Sequence, residues 1–349
     1  MTIRMLIIIS TLSISFLSFA HNDNAYYYGT SDLSINKPWM NKINNDVKIR
    51  NISIPGTHGS AALYGGDISR NQTLSINQQL DAGIRFLDIR LRHIGNAFAI
   101  HHGPFYQRQM FGDILLVVKS FLENNPTEFV FIRVKEEYSA KNNSETFEDT
   151  FNRYVNSNSD IIWIPKSKAE NPMIKEVRGK IVFLQNFASR KYGWFGLDYH
   201  NTFSIQDDHK LTSNWDLYAK WLKVKEHLIK ANKNKQSQIN FLSGSTGAFP
   251  YFVASGHSYQ ETKAPRLLTG LITQEWGSIY PDFPRVGCSI GLCSIAFEGT
   301  NTLTKNYIID NRLEYVGIVV ADFPGSGLIN AIININLRNG YYITKDELR

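Results

Sequence analysis

Apolar residues in this chain gather into short β-branched and aromatic runs, separated by polar stretches rich in glycine and proline. Eight of these runs have the length and composition of buried strands: Asn51 to Ile54, Ile84 to Leu91, Ala97 to His101, Phe129 to Lys135, Lys180 to Leu184, Phe203 to Gln206, Ile239 to Leu242 and Val316 to Val320. Helical periodicity marks Phe111 to Glu123, Ser144 to Val155, Asn214 to Ala231 and Gly327 to Leu337. Strand and helix alternate irregularly, which predicts an α/β fold with a parallel core. Eight strands argue for a single (β/α)8 barrel resembling the TIM barrel. The stretch from about 257 to 312, rich in Gly, Pro and Thr, is too long for one strand and one helix and is expected to be an insertion.

The N-terminus breaks the pattern. Arg4 precedes an apolar run from Leu6 to Phe19, and Ser18-Phe19-Ala20 offers a small-residue cleavage site. The run is shorter than the roughly 20 residues that span a bilayer. A signal peptide over residues 1–20 is therefore expected, with the catalytic barrel in 21–349 and a secreted or periplasmic protein as the product. In an oxidising compartment Cys288 and Cys293, separated by four residues, are expected to form a local disulfide. No Cys/His cluster with zinc spacing occurs.

The chain has 349 residues, enough for one large domain, and a formal charge of +6 from 37 basic and 31 acidic residues. No Lys/Arg block suggests a nucleic-acid arm; the charge suits solubility or weak attraction to anionic lipid. Barrel enzymes place their chemistry at the C-terminal ends of the strands. Here those ends carry His58, Arg90 with Asp88, His101-His102, Lys135-Glu136-Glu137, Asp207-Asp208-His209 and Asp322. Two histidines, an aspartate to orient one of them and an arginine suit phosphoryl transfer, which needs a base, an acid and a positive clamp. No Gly-x-Ser-x-Gly elbow supports a serine nucleophile.

The segments Ser53-Ile54-Pro55-Gly56-Thr57-His58, Phe86-Leu87-Asp88-Ile89-Arg90 and His101-His102-Gly103-Pro104 resemble the bacterial phosphatidylinositol-specific phospholipases C. The likeness runs on through Lys135-Glu136-Glu137-Tyr138, Gln206-Asp207 and Val320-Ala321-Asp322-Phe323. What the resemblance implies is a distorted barrel that cuts phosphatidylinositol, or its glycosylated anchors, to diacylglycerol and a cyclic inositol phosphate. It implies His58 as general base, Asp322 as its orienting carboxylate, His102 as general acid and Arg90 as phosphate clamp. Lys135, Glu137 and Asp207 match positions that hold inositol hydroxyls. Three positions depart from the family pattern: Gly59 replaces an Asp, Asn186 an inositol-contacting Arg, and His209 a stacking aromatic. Weaker binding or a different head group would follow from these changes. Arg90 makes metal-independent catalysis the expectation, with calcium the alternative.

The expected partner is a membrane surface carrying phosphatidylinositol, met through Leu63, Tyr64, Phe249 or Trp194-Phe195. Nothing in the sequence fixes the oligomeric state, and a monomer is expected. The competing readings are a glycerophosphodiester phosphodiesterase and a lipid-binding protein that has lost turnover.

Overall fold

Hydrogen bonding among the β-branched runs builds one curled sheet in the computed structural model, which describes residues 25–29, 33–167 and 170–338. The expected signal peptide, residues 1–20, lies outside the described residues. In chain order the strands are β1 (Ile54–Thr57), β2 (Phe86–Ile94), β3 (Ala97–His102), β4 (Phe105–Met110), β5 (Val130–Glu136), β6 (Ile162–Trp163), β7 (Ile181–Asn186), β8 (Leu197–Asp198) and β9 (Ser204–Gln206). They continue with β10 (Lys210–Leu211), β11 (Gln238–Phe241), β12 (Ser245–Thr246), β13 (Leu268–Gln274), β14 (Arg285–Ser289), β15 (Leu292–Ala296) and β16 (Ile318–Ala321). The parallel path runs β6-β7-β5-β2-β1-β16-β11-β9, with β8 also on β7. Among the described residues no pairing joins β9 back to β6 or β8, so the eight-stranded parallel sheet is curled but open, a half-barrel.

Helices cover its outer face: α1 (Ile76–Ala82), α2 (Phe111–Asn124), α3 (Phe147–Ser157), α4 (Ile174–Val177), α5 (Tyr199–Thr202), α6 (Leu217–Asn234), α7 (Pro250–Ser255), α8 (Thr300–Asp310) and α9 (Ser326–Arg338). Helix α1 was not anticipated. Its local signals are nonetheless plain, because Ser75 and Gln78 form a reciprocal capping box and Gly83 closes the helix at φ 113°.

Two expectations need correction. The first run was placed at Asn51 to Ile54, but Ile49–Asn51 forms a 3₁₀ turn and the strand begins at Ile54. The run Ala97 to His101 is a strand, though not one of the eight parallel ones. Gly95 and Asn96 both adopt positive φ, the requirement of a tight two-residue hairpin, so β3 folds back antiparallel on β2. Its place in the parallel path goes to β6, a two-residue segment too short to show in a hydrophobic pattern.

The stretch from 257 to 312 divides in two. Strands β13–β15 form a separate three-stranded antiparallel sheet, and Cys288 and Cys293 are joined across the β14–β15 turn. Helix α8 packs against α6, α7 and α9 in the outer layer of the half-barrel. Close strand approach explains Gly56, since a Cβ there would lie 2.8 Å from the Phe86 ring. Among the described residues, no helix is long and apolar enough to cross a membrane.

At the N-terminal end of the strands, Arg85 and Glu128 form an ion pair with neither side chain exposed. Arg85 also donates to the Leu80 and Ile84 carbonyls, each at 2.8 Å, and Glu128 accepts from the Met40 amide. Removing one member strands the other charge in the interior. Glu128→Ala should therefore lower folding stability by about 3–5 kcal/mol, measured from the denaturant midpoint.

Candidate active site

Pleat alternation decides which side chains face the inside of the curl. On β5 the apolar Val130, Ile132 and Val134 alternate with Phe131, Arg133 and Lys135. Parallel register then sets Asp88 beside Arg133 and Arg90 beside Lys135. Thr57 of β1 pairs with Ala321 of β16, which carries His58 and Asp322 off the rim side by side. Because β3 returns along β2, His102 reaches the same mouth. A cavity of about 200 Å³ results, lined by His58, Arg90, His102, Arg133, Lys135 and Asp207 together with Asn71, His209 and the Ser243–Ser245 turn.

The hydrogen bonds fix the state of His58. A guanidinium can only donate, and Arg90 Nη2 lies 2.7 Å from His58 Nε2, so Nε2 presents its lone pair. The proton is then on Nδ1, which donates to Asp322 Oδ1 at 2.8 Å. Gln72 buttresses the pair by donating to the carbonyls of His58 and Ala321. Burial, with Arg90 adding to it, holds His58 well below the usual histidine range, while burial pushes the Asp322 carboxyl up.

His102 stands edge-on to His58 with ring centroids 6.2 Å apart, and its Nδ1 donates to the Ser69 carbonyl at 2.7 Å. Its Nε2 is left to face the cavity. Burial and then Arg90 lower its pKa from 6.5. His101, one residue earlier, points the other way and stacks on Tyr138.

Three residues that organise the charge were not among the expected site residues. Asp88 accepts from the Gly59 amide at 3.0 Å, Arg90 Nε at 3.2 Å and Arg133 Nη1 at 3.2 Å. Burial alone would raise its pKa, but the two guanidiniums overcome that and hold it far below the carboxylate range. Arg133 lies over the Tyr199 ring at 4.3 Å. The alternation along β5 already put it on the inward face. Lys220 of α6, dropped by burial to about 7, donates to the Asp208 and Phe241 carbonyls and pins the segment bearing Asp207.

The remaining expected residues are placed unevenly. Lys135 pairs with Glu137 at 3.3 Å, and Glu137 also accepts from the Gly103 amide. Asp207 and His209 both line the cavity, with His209 half exposed. Asn186 does not line it: its carbonyl accepts from Arg133 Nε and Nη2, and its amide faces His200 in a neighbouring depression that also contains Trp194. The second guanidinium at the cavity thus comes from β5, one strand away from position 186.

Gly59 has φ 46°, and a Cβ there would meet Asn71 Oδ1 at 2.8 Å, so an aspartate would be strained and crowded. Asp88 orients Arg90 instead. Among the apolar rim candidates, Tyr64, Phe249 and Trp194 are exposed, Leu63 is half-buried, and Phe195 is a core residue packed on Phe151. Among the described residues, no group of three or more His, Cys, Asp or Glu side chains is arranged to hold a metal ion.

A curled parallel sheet with a histidine pair, a carboxylate behind one histidine and two guanidiniums at its mouth defines an α/β barrel of the phosphate-handling class. The family model for the phosphatidylinositol-specific phospholipase C X domain matches residues 57–186. A 1-phosphatidylinositol phosphodiesterase of Listeria monocytogenes is 28% identical over 308 residues, covering 80% of this chain and 93% of that protein. One from Staphylococcus aureus is 28% identical over 241 residues, covering 60% and 75%. The solved phosphatidylinositol-specific phospholipase C of L. monocytogenes shares the fold, with a TM-score of 0.63 at 23% identity over 87% of this chain and 99% of that one. Residues 57–186 thus match the X domain of the phosphatidylinositol-specific phospholipases C, and over most of its length the chain is similar to bacterial 1-phosphatidylinositol phosphodiesterases.

Proposed function

We propose that this protein cleaves phosphatidylinositol between phosphorus and the glycerol oxygen, releasing diacylglycerol and inositol 1,2-cyclic phosphate. The observation that carries the reading is the His58 arrangement: a neutral imidazole with its Nε2 lone pair facing a cavity that also holds His102. When a phosphate enters, its oxygens take the Arg90 donors, and Nε2 is freed to accept the proton of the inositol 2-hydroxyl. The hydroxyl oxygen attacks phosphorus as the bond to glycerol breaks, and His102 Nε2 delivers a proton to the departing oxygen. His58 becomes an imidazolium beside the Asp322 carboxylate, which stabilises it.

Arg90 and Arg133 supply the positive charge that grows important in the transition state, so the reaction is proposed to need no metal. Lys135 and Asp207, with Glu137 behind Lys135 and His209 at the edge, offer charged partners for the inositol hydroxyls. Such a set tells a polyhydroxyl ring from choline or ethanolamine. The same chemistry on glycosylphosphatidylinositol anchors belongs to the proposal, as does action outside the cytoplasm at a membrane surface, for which Arg4 and the Leu6 to Phe19 run are the support.

Phosphorus NMR of the purified protein with phosphatidylinositol vesicles in excess EDTA tests the reading. A five-membered cyclic inositol phosphate should appear. Restoration by calcium alone would overturn the account of Arg90, and no product under either condition would favour a binding protein. The pH dependence is a separate check. Activity rises with pH as His58 loses its proton and falls as His102 does, and both histidines titrate below 6.5. The profile of kcat/KM should therefore peak on the acid side of 6.5.

A further inference from the structure

Among the described residues, no element covers one face of the β13–β15 sheet. Register places Ile272, Ser294 and Val286 in one row of that face and Gln274, Leu292 and Ser289 in the next. Cys293 and Ile295 point the other way and are buried. On the outer side Ile290 is 100% exposed, Trp276 77%, Ile272 68% and Leu292 50%. Between Leu268 and Ala296 the charged residues are Glu275, Asp282 and Arg285. Asp282 is taken by Trp221 and Lys225, and Arg285 by backbone carbonyls. The face therefore presents large apolar side chains with little charge.

The tip deepens the anomaly. Ile290 and Gly291 form the two-residue β14–β15 turn with φ 52° and 73°, a conformation that suits Asn-Gly. A β-branched residue there is strained, and complete exposure returns nothing to the fold. Among the described residues, nothing covers Ile290.

The sheet is anchored next to the active-site mouth. Pro250 lines the cavity, and the helix it begins ends at Gly256, whose carbonyl accepts from the Leu267 amide just before β13. At 1.5 Å per residue that is about 9 Å from the lip. On its other side the sheet packs through Tyr280 and Phe283 on Tyr218, in the first turn of the helix that follows the Asp207 loop. Exposed Phe249 immediately precedes Pro250 of the cavity lining, and exposed Trp215 packs on Phe297, the residue that follows β15.

We propose that the outer face of β13–β15, led by the Ile290 turn and Trp276, seats in the lipid head-group layer and holds the active-site mouth against the bilayer. The inference rests on reading the substrate as a membrane lipid. Tryptophan and β-branched side chains suit the interface between head groups and acyl chains, and an apolar face of low charge suits it better than it suits water.

The test uses vesicles of phosphatidylcholine with a minor fraction of phosphatidylglycerol and no phosphatidylinositol, so that binding is independent of the head-group site. Ile290→Asn and Trp276→Ala should each weaken vesicle partition about tenfold. Cleavage of a water-soluble short-chain phosphatidylinositol should stay unchanged, and Ile290→Asn should melt at the same or a higher temperature than the parent. Leu116→Ser, on exposed α2 away from the sheet, is the control and should partition normally.

A parent protein that ignores these vesicles, or variants that bind them like the parent, overturns the proposal. So does a parent dimer that Ile290→Asn dissociates, which would make the face a self-interface. Failure to cleave the soluble lipid would instead count against the proposed reaction, since that assay needs no membrane.

Discussion

Replacing His102 by alanine should lower phosphatidylinositol cleavage by about 10²–10⁴-fold, the contribution of a positioned general acid. The fold should survive, because the ring is held mainly by one bond from Nδ1 to the Ser69 carbonyl and packs edge-on to His58. The same loss is expected for His58→Ala, so the two histidines are distinguished by the leaving group. An inositol phosphate ester of an acidic phenol leaves without a proton. His102→Ala should recover most of its activity on that substrate, whereas His58→Ala should not, since the 2-hydroxyl still needs a base. Equal recovery in both, or in neither, would contradict the assignment of acid and base.

Arg90→Lys should cost about 10²–10³ in kcat, the size of a lost transition-state donor. Lysine keeps the charge but not the planar fork, and in this site each edge of the fork has a task. Nε is held by Asp88, Nη2 meets His58 Nε2, and Nη1 points toward Glu137 at 3.8 Å. An ammonium can serve one of these directions and leaves the others empty. Asp88 retains Arg133 and the Gly59 amide, so the melting temperature should change little. Excess calcium should not rescue the variant if Arg90 is the clamp. Rescue would mean that charge alone, without the fork, is sufficient.

The site was legible where residues close in sequence share a strand end. His58, Arg90, His102, Lys135 and Asp207 all come off the ends of runs whose apolar pattern is unambiguous, and each faces or lines the cavity. Asn186 was misplaced because its direction depends on Arg133, a residue 53 positions earlier in the chain that captures its carbonyl. Asp88 was visible beside Arg90, but its task was not. A carboxylate that joins two guanidiniums and the Gly59 amide is defined by the pairing of β2 with β5 and by the turn after β1. Phe195, read as a rim aromatic, is core because Phe151, Phe183, Phe187 and Tyr192 surround the space beside α3.

What the sequence determined by itself was local: most of the strand runs, the helix runs, and the ionisable residues carried at the strand ends. Those features depend on side-chain period and backbone preference over a few residues. Tertiary structure decided which of them meet. The tautomer of His58 depends on a guanidinium 32 residues away and a carboxylate 264 residues away. Whether the sheet closes depends on how β9 meets β6 and β8, and the latter two are segments of two residues with no periodic signal of their own. The apolar face of β13–β15 depends on a strand register that puts Ile272 and Leu292 on the side that no described residue covers. Each of these is a long-range pairing, and sequence pattern carries no information about a partner until the chain has brought it there.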